Sequence, residues 1–430
     1  MSLHADTPDA PDAPEGPLAE TMHLWWLANP GSPHLVGELR LVRTLKGVSL
    51  RYGQAWLRHG FALSEDLPLI AGERLPTEKE TAVGAVDDAR PDRWGERVIR
   101  QIDRPARLSL LEYLYFAGDE RFGALGVSTS DAAYLPRRHG PLPLLAEVAR
   151  MARLVQQVLA GEPVAEAERR LITPGASMGG ARPKALLAMD GQAWVLKFNE
   201  PGEPIDMPLV EHATLTLAAS AGIAVAETRP IPLVSGRGHA SRHAVAVRRF
   251  DRIGAQRLHA LSAHVALRAA GEGMGYPELA QLLRRRGVAQ GGQGRAQMAE
   301  LFSRMVFNIL IDNTDDHEKN HALLMTDQGE LRLSPAFDVL PSGQALGYQQ
   351  MRVGVDQSDA TLSNALSEPA LFGLSRAQAE AAVRRVAGVV EVWQTHFAQI
   401  GVRDAHIQSL AQQIDRPFLI DQRRAWLASG

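Results

Sequence analysis

Asp315, Asn320 and Asp338 have the residue types and spacing to hold an acceptor hydroxyl and a divalent cation at one point. A carboxylate able to accept a proton is followed five residues later by an amide oxygen, and a second carboxylate comes after a short interval. Mg²⁺ wants oxygen ligands and keeps part of its shell for water and phosphate, so one Asn and one Asp suffice. A transferred phosphoryl group needs positioning and charge neutralisation more than covalent help. The stretch NTDDHEKNHALLMTDQGELRLSPAFD, residues 313–338, therefore points to phosphoryl-transfer chemistry.

The flanking pattern must bring these groups together. Met298, Leu301, Phe302, Met305, Val306, Ile309 and Leu310 recur at helical spacing, which predicts a helix over 298–311. Asn313 and Thr314 end that pattern, so 313–320 reads as a loop leaving the helix. His321–Met325 and Leu331–Leu333 read as two strands joined by an Asp327-Gln328-Gly329 turn. The hairpin folds Asp338 back toward Asn320.

A second motif overlaps the first. His317-Glu318-Lys319-Asn320-His321 satisfies H-E-x-x-H, which binds zinc only when both histidines share a helix face. Here the segment follows a helix, His321 opens a strand, and no G-x-x-H continuation offers a third ligand. Zinc is not expected.

Upstream, PGASMGGARPK (174–184) is glycine-rich, and Gly175, Gly179 and Gly180 let backbone N–H groups approach phosphates without a Cβ in the way. No G-K-[ST] closes it, so it is not a Walker A loop. Strands 185–189 and 193–198 flank Asp190-Gly191, a hairpin signal. Lys197 on the return strand is either an edge-strand gatekeeper or a phosphate-binding cation. A helix over 208–221 follows, with Glu211 in its first turn. Glu211 suits the helix dipole there, or pairs with Lys197. Strands near 223–233 and 243–250 end in VRRFD, where a two-lobed kinase places its hinge.

Together SMGGARPKALL (177–187), VLKF (195–198), Glu211, VRRFDR (247–252), NTDDHEKN (313–320) and SPAFDVL (334–340) resemble the HipA family of bacterial serine/threonine kinase toxins. The resemblance runs from about residue 30 to about residue 420. It implies an α+β, two-lobed protein-kinase-like fold with an extra N-terminal β-rich subdomain and a helical C-terminal lobe. It implies ATP and Mg²⁺ as cofactors, Asp315 as catalytic base, Asn320 and Asp338 as metal ligands, and Lys197 on the ATP phosphates. Arg248 and Phe250 then lie at the adenine hinge, and His317 and Lys319 support the loop or steady the phosphate. Ser177 matches the family's autophosphorylated position, where a phosphate would add nearly two negative charges to the loop; it also reads as a turn serine. The implied partners are a cognate DNA-binding antitoxin and a protein substrate among the translation components. Arg182-Pro183 and Arg248 depart from the best-known members, which carry Gln-Glu and Glu there. Asp316 adds a second carboxylate, but the spacing to Asn320 favours Asp315.

Composition frames these readings. At 430 residues and 45% hydrophobic content, the chain can form two or three domains with substantial cores. Zero cysteines excludes disulfides and suits a reducing cytosol. No signal-like start and no apolar run of about eighteen residues occurs, so the expected location is cytoplasmic, without a membrane partner. A net charge of −3 argues against strong DNA binding by the chain itself, leaving operator contact to the antitoxin. The expected divisions are a disordered tail over 1–21, a β-rich subdomain over 22–138, a kinase N-lobe-like region over 139–255 and a helical lobe over 256–430. Val36–Leu50 and Leu57–Leu69 read as β structure, Leu135–Leu145 as a linker, and 144–160 as a helix. A capping box at Ser375 and Gln378 opens a helical face running from Val383 to Ile400. DDARPDRWG (87–95) has no assigned task beyond packing of Trp94. Two other functions compete with the protein kinase: an antitoxin-dependent co-repressor with little catalysis, and a kinase for small molecules.

Overall fold

The computed structural model describes residues 20–105, 107–137, 140–175, 180–234, 240–342 and 344–428. The tail expected over 1–21 therefore falls almost wholly outside the described residues.

The chain opens with strands β1 (Thr21–Trp26), β2 (His34–Val42) and β3 (Gly47–Tyr52), helix α1 (Gln54–His59) and strand β4 (Glu73–Arg74). Helices α2 (Arg93–Ile102) and α3 (Leu110–Phe116) and strand β5 (Leu125–Ser128) follow. The strands form one antiparallel sheet in the order β4-β3-β2-β1-β5. The β reading of Leu57–Leu69 is corrected. Its first residues belong to α1, and the remainder is irregular chain held by its own anchors. Tyr52 Oη donates to the Leu67 carbonyl at 3.0 Å and accepts from Leu63 N–H at 3.3 Å, so Leu63 and Leu67 are buried by loop packing.

Helix α4 (Val148–Ala160) leads to a second antiparallel sheet built from β6 (Lys184–Met189), β7 (Gln192–Lys197), β8 (Thr228–Val234) and β9 (Ala240–Arg248), in the order β6-β7-β9-β8. Asp190 and Gly191 both take positive φ, 52° and 70°, the backbone of a type I′ turn that matches strand twist. Helix α5 (Met207–Ser220) stands between β7 and β8 in the chain. Pro143 and Leu144, read as linker, instead extend this sheet: the Pro143 carbonyl accepts from Ala188 N–H at 2.8 Å.

Short strands β10 (Arg252–Ile253) and β11 (Gln256–Arg257) precede β12 (Ala260–Ser262), α6 (Ala263–Ala270), α7 (Tyr276–Arg286) and α8 (Gln293–Leu310). The hairpin β13 (Ala322–Met325) and β14 (Leu331–Leu333) pairs with β12 in a three-stranded sheet. The chain closes with α9 (Leu362–Ala365), α10 (Arg376–Glu391), α11 (Trp393–Ile400), α12 (Asp404–Ile414) and α13 (Pro417–Ala428). The capping box forms at Ser375 and Gln378. The single face expected to Ile400 is divided, because Val392 (φ −102°, ψ 18°) leaves helical geometry between α10 and α11.

One apolar core runs from the N-terminal sheet through α3, α5 and the helical lobe; its axis is α8, buried on every side from Leu301 to Leu310. A second core lies under β6, β7 and β9, where α4 meets Trp94, Val98 and Ile102 of α2. Helix α2 thus belongs by sequence to the N-terminal region and by packing to the second sheet. The result is a two-lobed α+β fold with an added β-rich region.

Candidate active site

The catalytic-loop candidates hang from the C-terminus of α8, and buried polar contacts fix that loop. Asp312 takes φ +58° and ends the helix, with its carboxylate 2.7 Å from Arg416. Asn313 Nδ2 donates to Asn308 Oδ1 at 3.1 Å, and Thr314 Oγ1 meets Ser342 Oγ at 2.6 Å.

The two adjacent aspartates part company here. Asp316 is buried and accepts hydrogen bonds from Tyr276 Oη and from His321 Nε2, the latter at 2.8 Å. Burial, and then the Asp316 charge, push the Tyr276 hydroxyl well above its ordinary range. Asp315 is exposed, and its Oδ1 accepts from Gln350 Nε2 at 2.9 Å. Of the pair, Asp315 alone can meet an incoming hydroxyl. The same contacts dispose of the H-E-x-x-H geometry: Glu318–Asn320 is a single 3₁₀ turn, and His321 is committed to Asp316.

Asn320 closes that turn. Its Nδ2 lies 3.4 Å from the Asp315 carbonyl, while its Oδ1 is buried without a hydrogen-bond partner. An orphaned buried acceptor is costly unless something electropositive meets it. Asp338 follows β14 with φ +57°, a conformation rare outside Gly, Asn and Asp. Strain of this kind is concentrated at functional sites.

Lys197, at the end of β7, links the two sides of the site. Its Nζ lies 2.6 Å from Glu211 Oε1 and 2.7 Å from Asp338 Oδ1. Glu211 is the fifth residue of α5, one residue further in than expected and buried; the dipole fades within the first turn, so the ion pair is what positions it. Burial raises the Glu211 carboxyl above its usual range, against the opposing pull of Lys197. Burial would also raise Asp338, but the Lys197 ammonium holds it at about 2. For Lys197, burial opposes the charge and the two carboxylates overcome it, leaving its pKa raised. One ammonium between two carboxylates leaves a net negative charge. That excess, the ionised Asp338 and the unpaired Asn320 oxygen suit an oxygen-seeking divalent cation.

The glycine-rich stretch is described only at its ends, so Ser177 and Gly179 lie outside the described residues. Gly180 has φ +96°, which a larger residue would resist, and its carbonyl lies 3.4 Å from Lys184 Nζ. Gly180, Asp315, His317 and Lys319 line one cleft of about 780 Å³, together with Asp88 and Asp92 from DDARPDRWG.

The hinge candidates separate. Phe250 packs its ring 5.2 Å from Phe337, beside Asp338, and 5.6 Å from Phe122. The Arg248 side chain is exposed and engaged by Glu227 at 3.3 Å and Gln192 at 3.2 Å, so it does not join Lys197 and Asp338. Sequence reasoning missed what lies between them. Arg249 forms a buried two-point pair with Asp251, at 3.0 and 2.8 Å, and donates to the Arg121 carbonyl. Asp251 also accepts from Gly123 N–H at 2.8 Å. VRRFDR thus bolts the second sheet to the loop before β5. Alternation of charge along VRRFDR was the available signal, since a central strand end rarely carries Arg and Asp unless they pair.

The family model of the HipA-like C-terminal domain matches residues 176–393, half of the chain. The chain belongs to the HipA-like family. A Sinorhizobium fredii protein, Y4dM, whose name assigns it to the kinases, is 31% identical over 161 residues. That match covers 35% of this chain and 37% of Y4dM, so the shared stretch spans little more than a third of the relative. HipA of Shewanella oneidensis MR-1, solved with HipB and operator DNA, superposes with a TM-score of 0.64 at 18% identity. The superposition covers 95% of this chain and 97% of that one, and it shows a shared fold.

Proposed function

We propose that this protein is an ATP- and Mg²⁺-dependent serine/threonine protein kinase, the toxin of a toxin–antitoxin pair. The observation that carries the reading is the Lys197 bridge between Glu211 and Asp338, taken with the unpaired Asn320 oxygen and the exposed Asp315 on the loop after α8. Asn320 and Asp338 would hold Mg²⁺, which supplies charge neutralisation on the nucleotide phosphates when bound. Lys197 offers its ammonium to the same phosphates while Glu211 fixes its direction. Asp315 orients the acceptor hydroxyl and takes its proton, and Gln350 steadies the carboxylate. His317 and Lys319 line the same cleft as Asp315 and would support the loop or steady the phosphoryl group there. Phe250 and Phe337 provide an aromatic wall for the base.

The partner in this reading is a DNA-binding antitoxin, supported by the fold shared with a HipA solved in such a complex. The acidic net charge of −3 leaves DNA contact to that partner. The acceptor is a translation-related protein in the cytoplasm, with Ser177 as a second, self-directed acceptor. No helix among the described residues is long and apolar enough to cross a membrane.

Incubation of the protein with γ-labelled ATP, Mg²⁺ and a cytosolic lysate tests this, followed by phosphoamino-acid analysis. Label on serine or threonine of a discrete protein is expected. Label confined to small molecules would overturn the protein-kinase reading.

A further inference from the structure

DDARPDRWG (87–95) is the motif that the site above leaves without a task. Its second half opens α2 and grips both ends of the glycine-rich stretch. At one end, Asp92 Oδ2 lies 2.6 Å from Lys184 Nζ, with only 5% and 2% of the two side chains exposed. Trp94 Nε1 donates to the Lys184 carbonyl at 2.7 Å. Lys184 Nζ in turn reaches the Gly180 carbonyl. At the other end, Gly95 lies so close to the backbone that a Cβ there would fall 2.0 Å from the Pro174 carbonyl oxygen. The first half of the motif grips the opposite lobe. Asp88 accepts from Ser262 N–H at 2.6 Å and from Ser262 Oγ at 2.7 Å, where Ser262 caps α6.

A buried ion pair is a poor source of net stability, because desolvation consumes most of its attraction; what it supplies is a fixed geometry. Asp92 divides its two oxygens between two tasks. Oδ1 caps α2 by accepting from Gly95 N–H at 2.7 Å, and Oδ2 holds Lys184. The start of α2 and the ends of the glycine-rich stretch therefore form one unit.

We propose that residues 87–95 are a strut that sets the described ends of the glycine-rich stretch, 174–175 and 180–184, against the catalytic lobe, with Asp92 a positioning residue acting through Lys184. This rests on the nucleotide-binding reading of that loop. The N-terminal region then contributes to nucleotide affinity although its strands stand apart from the chemistry.

Asp92→Asn isolates the effect, since Asn caps helices as well as Asp and retains an oxygen for Gly95. In hydrogen exchange on the full chain without nucleotide, amides of 180–187 in the variant exchange roughly tenfold faster, while α2 and α8 keep their protection. Unchanged protection over 180–187 overturns the strut. The dissociation constant for a fluorescent Mg·ATP analogue rises roughly tenfold, and kcat at saturating ATP falls less than about threefold. Faster exchange with unchanged nucleotide affinity overturns the positioning role. If the wild-type protein itself binds no nucleotide, the kinase reading fails, and the exchange result still judges the strut. Should Asp92→Asn not fold, Trp94→Phe keeps the ring packing and loses only the N–H donor. It should accelerate the same amides roughly threefold, and no acceleration there also overturns the strut.

Discussion

Lys197→Met removes the one cation between the buried Glu211 and the partly buried Asp338 while keeping most of the side chain's apolar stem. Lys197 is 2.6 Å from Glu211 and 2.7 Å from Asp338, with 10% of its own side chain exposed. Asp338 is held at about 2 against an ordinary value of 3.8. A difference of that size corresponds to roughly 2–3 kcal/mol of stability at neutral pH. Breaking a buried pair from one side costs about 3–5 kcal/mol, so a loss of about 3 kcal/mol is expected at pH 7. The sign follows from the depressed carboxylate. Its contribution is complete above about pH 4 and disappears as pH falls through about 2, because both folded and unfolded states are then protonated. Urea denaturation at pH 7, 4 and 3 reads this. The gap between wild type and Lys197→Met should be widest at pH 7 and narrow through pH 4 to pH 3, because without the ammonium burial raises both carboxyls and lets them take up protons. Adding Glu211→Gln to Lys197→Met should recover part of the loss, since one stranded buried charge is removed. Equal midpoints at pH 7, or a gap that stays constant down to pH 3, would refute the argument.

Asp316→Asn should destabilise the fold by roughly 2 kcal/mol, measured by urea midpoint, because two buried donors, Tyr276 Oη and His321 Nε2, lose their ionic acceptor. Asp315→Asn, on an exposed carboxylate, should leave that midpoint unchanged. Burial raises the Asp88 carboxyl to about 6, so its folded form favours the proton and stability from this group falls as pH climbs from about 4 through about 6. Asp88→Asn should flatten the stability profile over that range by on the order of 2 kcal/mol, as followed by melting from pH 4 to 7. Arg249→Lys cannot reproduce the two-point contact with Asp251 and should lower stability by about 3 kcal/mol. Limited proteolysis should then cut faster between residues 119 and 123, where the Arg249 network is anchored.

The parts of the fold with a strict local period were legible in the chain. Helix α8 followed from apolar spacing, the β6–β7 turn from Asp190-Gly191, and the start of α10 from its capping box. Leu57–Leu69 misled because its short apolar runs alternate with polar residues as in a strand, whereas Leu63 and Leu67 are irregular chain anchored on Tyr52. The division between α10 and α11 was hidden because Val390 and Trp393 continue the apolar spacing across Val392, whose backbone leaves the helix. At the site, side chains close in sequence, Asp315 and Asn320, could be paired by spacing alone. That spacing also favoured Asp315 over Asp316; what it did not show is the buried contact of Asp316 with Tyr276, forty residues upstream, which no local pattern reveals. The same limit concealed Asp92–Lys184 and Arg249–Arg121, which join residues about a hundred positions apart. Buried charges in the sequence announce that partners exist without naming them.

Single-turnover phosphate transfer at matched nucleotide occupancy puts the central claim to its most direct test, comparing wild type with Asp315→Asn. Both proteins should bind Mg·ATP with similar affinity, because Lys197, Asn320 and Asp338 are untouched. Transfer of the γ-phosphate to protein should fall by a factor on the order of 10³ in the variant. Transfer at a wild-type rate by Asp315→Asn, or a wild-type protein that neither binds Mg·ATP nor moves its phosphate, would contradict the account.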